Sequence, residues 1–249
     1  MSAWHVLAGP LALRAGTVDV VLAPLSHRLD DESLLDAGEL RRADRLRRTA
    51  DRALFVATHA TRRRVLSSML GCGPAEVVIT TEPGGKPHLA EDTGVVFNDS
   101  GCADAVVVAA TVAARGDVRL GADLELPDPG LDVHDLLPVV CAPAEERVLR
   151  ETPASLLPER FLRLFTTKEA LLKAVGVGLT IEVREVVLDV AGDLRPVALP
   201  AQLGHPHSWW IRACEPPTGH VVIVAAHGFT RAPELRCWLQ PSGSPAPGS

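Results

Sequence analysis

Two short stretches of this 249-residue chain carry side chains whose types and spacing could do chemistry. The first is LGADLEL, Leu120 to Leu126. In a strand, residues two apart share a face, so Asp123 and Glu125 project together while Ala122, Leu124 and Leu126 turn toward a core. Two adjacent carboxylates repel unless positive charge lies between them. A hard divalent cation such as Mg²⁺, which takes oxygen ligands and keeps several waters, suits that position. A strand end with two solvated acids is the other reading of the same residues. The second stretch is RFLRLFTTKEALLKAVGVGL, Arg160 to Leu179, with Phe161, Leu164, Phe165, Leu171, Leu172 and Val175 at helical spacing. Glu169 and Lys173 are four apart and therefore neighbours on that helix. As an exposed ion pair they would contribute only about 0.3–0.5 kcal/mol.

Composition sharpens the second stretch. Arginine outnumbers lysine 22 to three, and the lysines are Lys86, Lys168 and Lys173. A chain so biased should keep lysine where a compact ammonium serves and a planar guanidinium does not, as at a phosphate or a proton-transfer site. Two of the three fall within the same short segment, on either side of Glu169.

The elements that must position these residues occur twice. EVVITTEPGGKP (76–87) and EVVLDVAGDLRP (185–196) each read as strand, glycine-containing turn and return. VVFNDSGCADAVVVAA (95–110) and WWIRACEPPTGHVVIVAA (209–226) each read as a β-hairpin. The offset between copies is 109 residues in the first match and 116 at the end of the second, too long for a solenoid. Helical spacing runs through 32–70 with Gly71 as a stop, and through 156–175 with Gly176 and Gly178 closing it. Early strands fall at 17–22 and 118–125. The expected class is α+β, with two similar α/β lobes in a pseudo-two-fold arrangement: 1–115, 116–239 carrying the acidic motifs, and a disordered tail at 240–249.

Gly-x-Asp-x-Glu followed 46 positions after its Asp by the Glu of Phe-x-x-Lys-Glu-Ala-x-x-Lys resembles the signature of the phosphopantetheinyl transferases, in particular the Sfp-type. CAPAEERVL (141–149) is similar to the family's intervening segment, and GVGL (176–179) to its Gly-x-Gly-Leu close. GGKPHL (84–89) resembles its Gly-Lys-Pro turn and FNDS (97–100) its Phe-Asn-x-Ser. The resemblance spans about residues 32–228 and implies the family's pseudo-dimer of two α/β lobes.

The resemblance also implies a reaction: transfer of 4′-phosphopantetheine from coenzyme A to a serine of an acyl or peptidyl carrier protein, releasing adenosine 3′,5′-bisphosphate. On that basis Asp123, Glu125 and Glu169 would hold Mg²⁺, and Glu169 would take the serine proton. Lys173 would stabilise the pyrophosphate, and Lys168, Lys86, Pro87 and Ser100 would contact coenzyme A. Residues 41–64 hold nine arginines and two aspartates, either a solvated face or a phosphate site, with Arg45 and Arg52 the candidate nucleotide contacts. One departure stands out. The family's pattern continues with His where this chain has Gly101, and Asp99 adds negative charge beside an expected anion site. His88 is a candidate substitute; His205 and His207 read as surface. A catalytically weakened relative that binds a carrier protein or nucleotide is therefore the alternative, though every metal and lysine position is kept.

Other classes are excluded on composition. A net charge of −6 and arginines without interleaved aromatics argue against nucleic acid. The longest apolar run, 105–114, is about half a membrane span, and no positive charge precedes the apolar N-terminal stretch as in a signal peptide. Five cysteines at 72, 102, 141, 214 and 237 show no metal-ligand spacing and read as small hydrophobes in a reducing cytosol. A cytoplasmic monomer is expected, since the internal repeat supplies the second half of the site.

Overall fold

The computed structural model describes residues 3–25, 31–91, 93–102, 104–113, 118–176 and 180–241. Its strands are β1 (Trp4–Val6), β2 (Thr17–Pro24), β3 (Ile79–Thr81), β4 (Pro87–Leu89), β5 (Val95–Gly101), β6 (Ala105–Val112), β7 (Arg119–Glu125), β8 (Val187–Leu188), β9 (Pro196–Ala198), β10 (Trp209–Cys214), β11 (Val221–His227) and β12 (Glu234–Leu239). Its α-helices are α1 (Ala37–Ala43), α2 (Thr49–Leu70), α3 (Val133–Val140), α4 (Pro143–Arg150) and α5 (Leu157–Val175). The protein is thus mixed α+β.

The strand pairing is alike in the two halves of the chain. In the first, β2 pairs β6 and β6 pairs β5, all antiparallel; in the second, β7 pairs β11 and β11 pairs β10, again antiparallel. Each half adds a small hairpin, β3–β4 or β8–β9, within the repeated segments 76–87 and 185–196. Each also has one long helix ended by a left-handed glycine, Gly71 (φ 71) or Gly176 (φ 67). The expected helix over 32–70 is divided into a 3-10 turn (Asp31–Leu34), α1, which Asp36 caps reciprocally with Glu39, and α2, which starts afresh at Thr49. The expected closing segment 177–179, the joint at 114–117 and the tail from 242 lie outside the described residues.

β2 is buried along almost its whole length because both faces of its sheet are covered. Val21, Val106 and Val108 pack against Val65 and Leu66 of α2. Their neighbours Val20, Leu22, Val107 and Ala109 pack against Leu120, Ala122, Leu124, Val222 and Val224 of the second sheet. Ile223 and Ala225 turn the other way, onto α5. The two sheets therefore share a core, and Asn98 ties them at the backbone: the Ala122 N–H donates to Asn98 Oδ1 at 2.8 Å.

The chain order does not divide the sheets at 115/116. β12 inserts between β1 and β2, parallel to both, so the five-stranded sheet runs β1-β12-β2-β6-β5 and residues 234–239 complete the first half. Fully buried Asp19 sets this register, accepting from Arg236 at 2.6 Å and from the Trp238 indole at 2.8 Å.

Candidate active site

The acidic strand and the charged helix meet because nothing stands between them. A Cβ on Gly121 would lie 1.9 Å from the Ala170 carbonyl oxygen and 2.9 Å from Ala174 Cβ. Gly121, Ala170 and Ala174 thus form a seam of minimal side chains along which α5 lies directly on β7. Asp123 and Glu125 project from the same face of β7 as Gly121, and Glu169 and Lys173 flank the two alanines on α5. Gly121→Ala is expected to cost about 1–3 kcal/mol or more by forcing helix and strand apart, read by denaturant unfolding.

Lys173 Nζ donates to Asp123 Oδ1 at 2.6 Å and to Ser100 Oγ at 2.7 Å, and the Ser100 hydroxyl donates to the same carboxylate oxygen at 2.8 Å. Ser100 comes from β5, so this cluster draws on both halves. Asp123 is buried, yet its Oδ2 has no hydrogen-bond partner among the described residues. Burial pushes the Glu125 carboxyl up to about 7, with the negative charges of Asp123 and Glu169 adding and Lys173 opposing. Glu169 is pushed up for the same reasons, burial first and then Asp123, again with Lys173 opposing. One ammonium is left to balance three carboxylates, two of them driven toward the neutral form.

This donor set fits a hard divalent cation. All the candidate ligands are oxygens, and the unpartnered Asp123 Oδ2 is a buried charged acceptor, expensive to leave so. The three carboxylates do not gather into one coordination sphere as they stand: among the described residues their oxygens do not all lie within 4.8 Å of one another.

Beside the cluster opens a cleft of about 850 Å³, whose walls include Lys86, Pro87, Asn98, Asp99, Glu169 and Lys173. Lys86 reaches across to α5: its Nζ donates to the Ala174 carbonyl at 2.6 Å and to the Leu120 carbonyl at 3.1 Å. It thereby caps the negative end of that helix from the other half of the chain. Burial holds its pKa down to about 8, Glu82 opposing and Arg119 adding.

Lys168 is placed differently from expectation. It is fully buried, with its ammonium 2.6 Å from Glu145 Oε2 and 2.9 Å from the Val140 carbonyl. Pointing into the α3–α4–α5 core, it is not available to a coenzyme A phosphate. Arg52 is held at the surface by Glu32 and Asp44, at 2.6 and 3.2 Å, and Arg45 is exposed after α1; neither lines the cleft. Arg62, Arg63 and Arg64 are buried in ion pairs with Glu39, Asp36 and Asp31, so the basic cluster is partly internal structure rather than a solvated face. Arg62 also approaches Asp99 to 3.6 Å, which offsets the charge that Asp99 brings. His88 bonds Thr80 at 2.8 Å and does not line the cleft; His205 and His207 are exposed.

A family profile described as the 4′-phosphopantetheinyl transferase superfamily matches residues 119–225, the segment that carries β7, α5 and β11. Over 215 residues, 85% of this chain and 86% of the relative, the sequence is 30% identical to the 4′-phosphopantetheinyl transferase HetI of Nostoc sp.. The chain belongs to the 4′-phosphopantetheinyl transferase superfamily. A second relative in that superfamily, slr0495 of Synechocystis sp., described as a candidate 4′-phosphopantetheinyl transferase, is 28% identical over 160 residues, 64% of this chain and 63% of its own. In superfamily terms, the match covers the seam that unites Asp123 and Glu125 with Glu169 and Lys173. Among the described residues, no helix is long and apolar enough to cross a membrane.

Sequence reasoning missed three residues on which the site depends. Each was visible only as part of a motif, Gly121 in LGADLEL, Asn98 in FNDS and Glu145 in CAPAEERVL, and the partner of Glu145, Lys168, is 23 residues away.

Proposed function

We propose that this protein transfers 4′-phosphopantetheine from coenzyme A to a serine hydroxyl of an acyl or peptidyl carrier protein, as a holo-[acyl-carrier-protein] synthase. The observation that carries the reading is the Asp123–Ser100–Lys173 cluster, with Glu125 and Glu169 beside it, at the edge of a cleft large enough for a nucleotide-sized ligand. The two halves, alike in strand order, act as a pseudo-dimer with the site along their shared edge.

Asp123, Glu125 and Glu169 would hold Mg²⁺. Bound there, the ion supplies charge neutralisation at a pyrophosphate and orients its oxygens. The chain's own residues do the rest. Lys173 leaves Asp123 to meet the bridging and leaving oxygens of the pyrophosphate. Lys86 and Pro87, which line the cleft, would contact coenzyme A, and Ser100 would do so from the cluster beside it. Glu169, its carboxyl raised by burial, is poised to accept the serine proton as the serine oxygen bonds to the phosphorus nearer the pantetheine and the bond to adenosine 3′,5′-bisphosphate breaks. Arg52 would have to exchange Glu32 and Asp44 for a phosphate to take part.

The test is intact-mass analysis of an apo carrier protein incubated with this protein, coenzyme A and Mg²⁺. A gain of one phosphopantetheine group, lost with EDTA and with Glu169→Gln, is the expected result. No gain across acyl and peptidyl carriers would leave the alternative of a binding protein. Gly101→His bears on that alternative. A Cβ at position 101 would sit 3.1 Å from Thr58 Oγ1, a close contact that Thr58→Ala beside it removes. If the missing imidazole is what weakens nucleotide binding, the double variant tightens coenzyme A relative to Thr58→Ala alone.

A pH dependence follows from Lys86. Its ammonium discharges as pH rises through about 8, and only the charged form attracts phosphate. Affinity for coenzyme A is therefore expected to fall above that pH, with the step absent in Lys86→Met, as measured by calorimetry.

A further inference from the structure

At the tip of the β5–β6 hairpin, two residues beyond Ser100, Cys102 and Asp104 meet His220, which directly precedes β11. Asp104 Oδ1 is 2.9 Å from His220 Nε2 and 3.5 Å from Cys102 Sγ. One ligand atom from each of the three residues lies within 4.8 Å of the others, the only such grouping of His, Cys, Asp and Glu among the described residues. Separations in a tetrahedral zinc centre, with bonds of 2.0–2.3 Å, are roughly 3.3–3.7 Å, so side-chain shifts of about an ångström would bring these atoms onto one ion.

Three further features belong to a ligand set rather than to a chance ion pair. His220 is buried, and its other nitrogen, Nδ1, is tied to Thr218 Oγ1 at 2.8 Å. Such a bond on the far nitrogen holds the ring and aims Nε2, as in established histidine–metal centres. The backbone amides of Asp104 and Ala105 favour the Cys102 thiolate, against the burial that opposes it. The Asp104 side chain is 58% exposed, leaving a solvent side for an ion to arrive and for water to complete four-coordination.

A nucleophilic triad does not fit the same residues. Asp104 stands between thiol and imidazole, so His220 cannot take the thiol proton, and burial pushes that thiol up to about 11.

We propose that Cys102, Asp104 and His220 form a second metal site, taking a borderline divalent ion such as Zn²⁺ in preference to Mg²⁺, that braces the β5–β6 turn against the start of β11. The thiol proton passes to solvent when the ion binds. The brace joins the strand carrying Ser100 to the strand paired with Asp123, so it stiffens both sides of the candidate active site. Thiolate and imidazole select against Mg²⁺, whereas the all-oxygen cluster at Asp123 selects for it.

The experiment is titration of the full-length protein with Co²⁺ in saturating Mg²⁺, followed by optical absorption. One equivalent should give a thiolate-to-cobalt charge-transfer band and intense tetrahedral visible bands, both abolished by one equivalent of Zn²⁺. Cys102→Ser should lose the band, and Cys72→Ser should keep it. Thr218→Val, a change at an exposed turn that leaves all three ligands in place, should weaken Zn²⁺ binding about 10-fold or more. A wild-type protein without the charge-transfer band, a band that survives Cys102→Ser, or Zn²⁺ affinity unchanged in Thr218→Val would each overturn the site.

Discussion

Asp123→Asn is expected to lower the rate of phosphopantetheine transfer by about 10²–10³-fold while leaving the protein folded. The substitution preserves shape, so packing against α5 is unchanged. What it removes is charge at the one carboxylate that is both buried and shared: Oδ1 receives Lys173 and Ser100, and Oδ2 is unpartnered. An amide offers only one acceptor, and its NH₂ turned toward Lys173 would oppose that ammonium. Whichever way it turns, either Lys173 or the cation loses its anchor. Steady-state kinetics with coenzyme A and an apo carrier protein, beside a thermal melt, separates this from unfolding. An unchanged kcat would sink the assignment of Asp123.

The second large effect concerns stability. Glu145 and Lys168 form a buried ion pair in which the carboxylate also accepts the Ala142 N–H at 2.7 Å and the Leu188 N–H at 2.7 Å. Removing one partner of such a pair typically costs about 3–5 kcal/mol, because the other is left charged in an apolar surround. The two sides are not equivalent here. Lys168→Met leaves Glu145 with two N–H donors, whereas Glu145→Leu strands the ammonium and both amides. Glu145→Leu is therefore expected to be the worse, with a melting temperature lower by about 6–20 °C on the usual conversion for a chain of this size. The same Lys168→Met protein, assayed below its melting point, should show a KM for coenzyme A within about twofold of wild type, since Lys168 does not face the cleft. A KM raised tenfold or more would return Lys168 to the binding site.

How much of this was legible in the sequence depends on whether the interaction is local. The repeated strand–turn–return units, the long helices and their glycine stops are written in short-range pattern, and Gly71 and Gly176 end their helices where the spacing stops. The pairing of Asp123 with Glu125 on one strand face, and of Glu169 with Lys173 on one helix face, follows from backbone period alone. That these two faces belong to one site came from the motif resemblance, and its geometry rests on Gly121 admitting α5 to contact distance.

What only the tertiary structure decided are the partners of charged groups distant in sequence. Lys168 and Lys173 stand five residues apart on one helix, yet their positions around it send one into the core toward Glu145 and the other to Asp123. Arg62 and Arg63 could not be told from surface arginines until Glu39 was found against them, nor Cys102 from a small hydrophobe until His220, 118 positions on, was placed beside Asp104. The strand 234–239 shows the same limit in the backbone, since it joins β2 across more than 200 residues through Asp19. Periodicity reports which face a side chain takes on its own element. It carries no information about what another element presents to that face, and burial, charge and metal affinity are all set there.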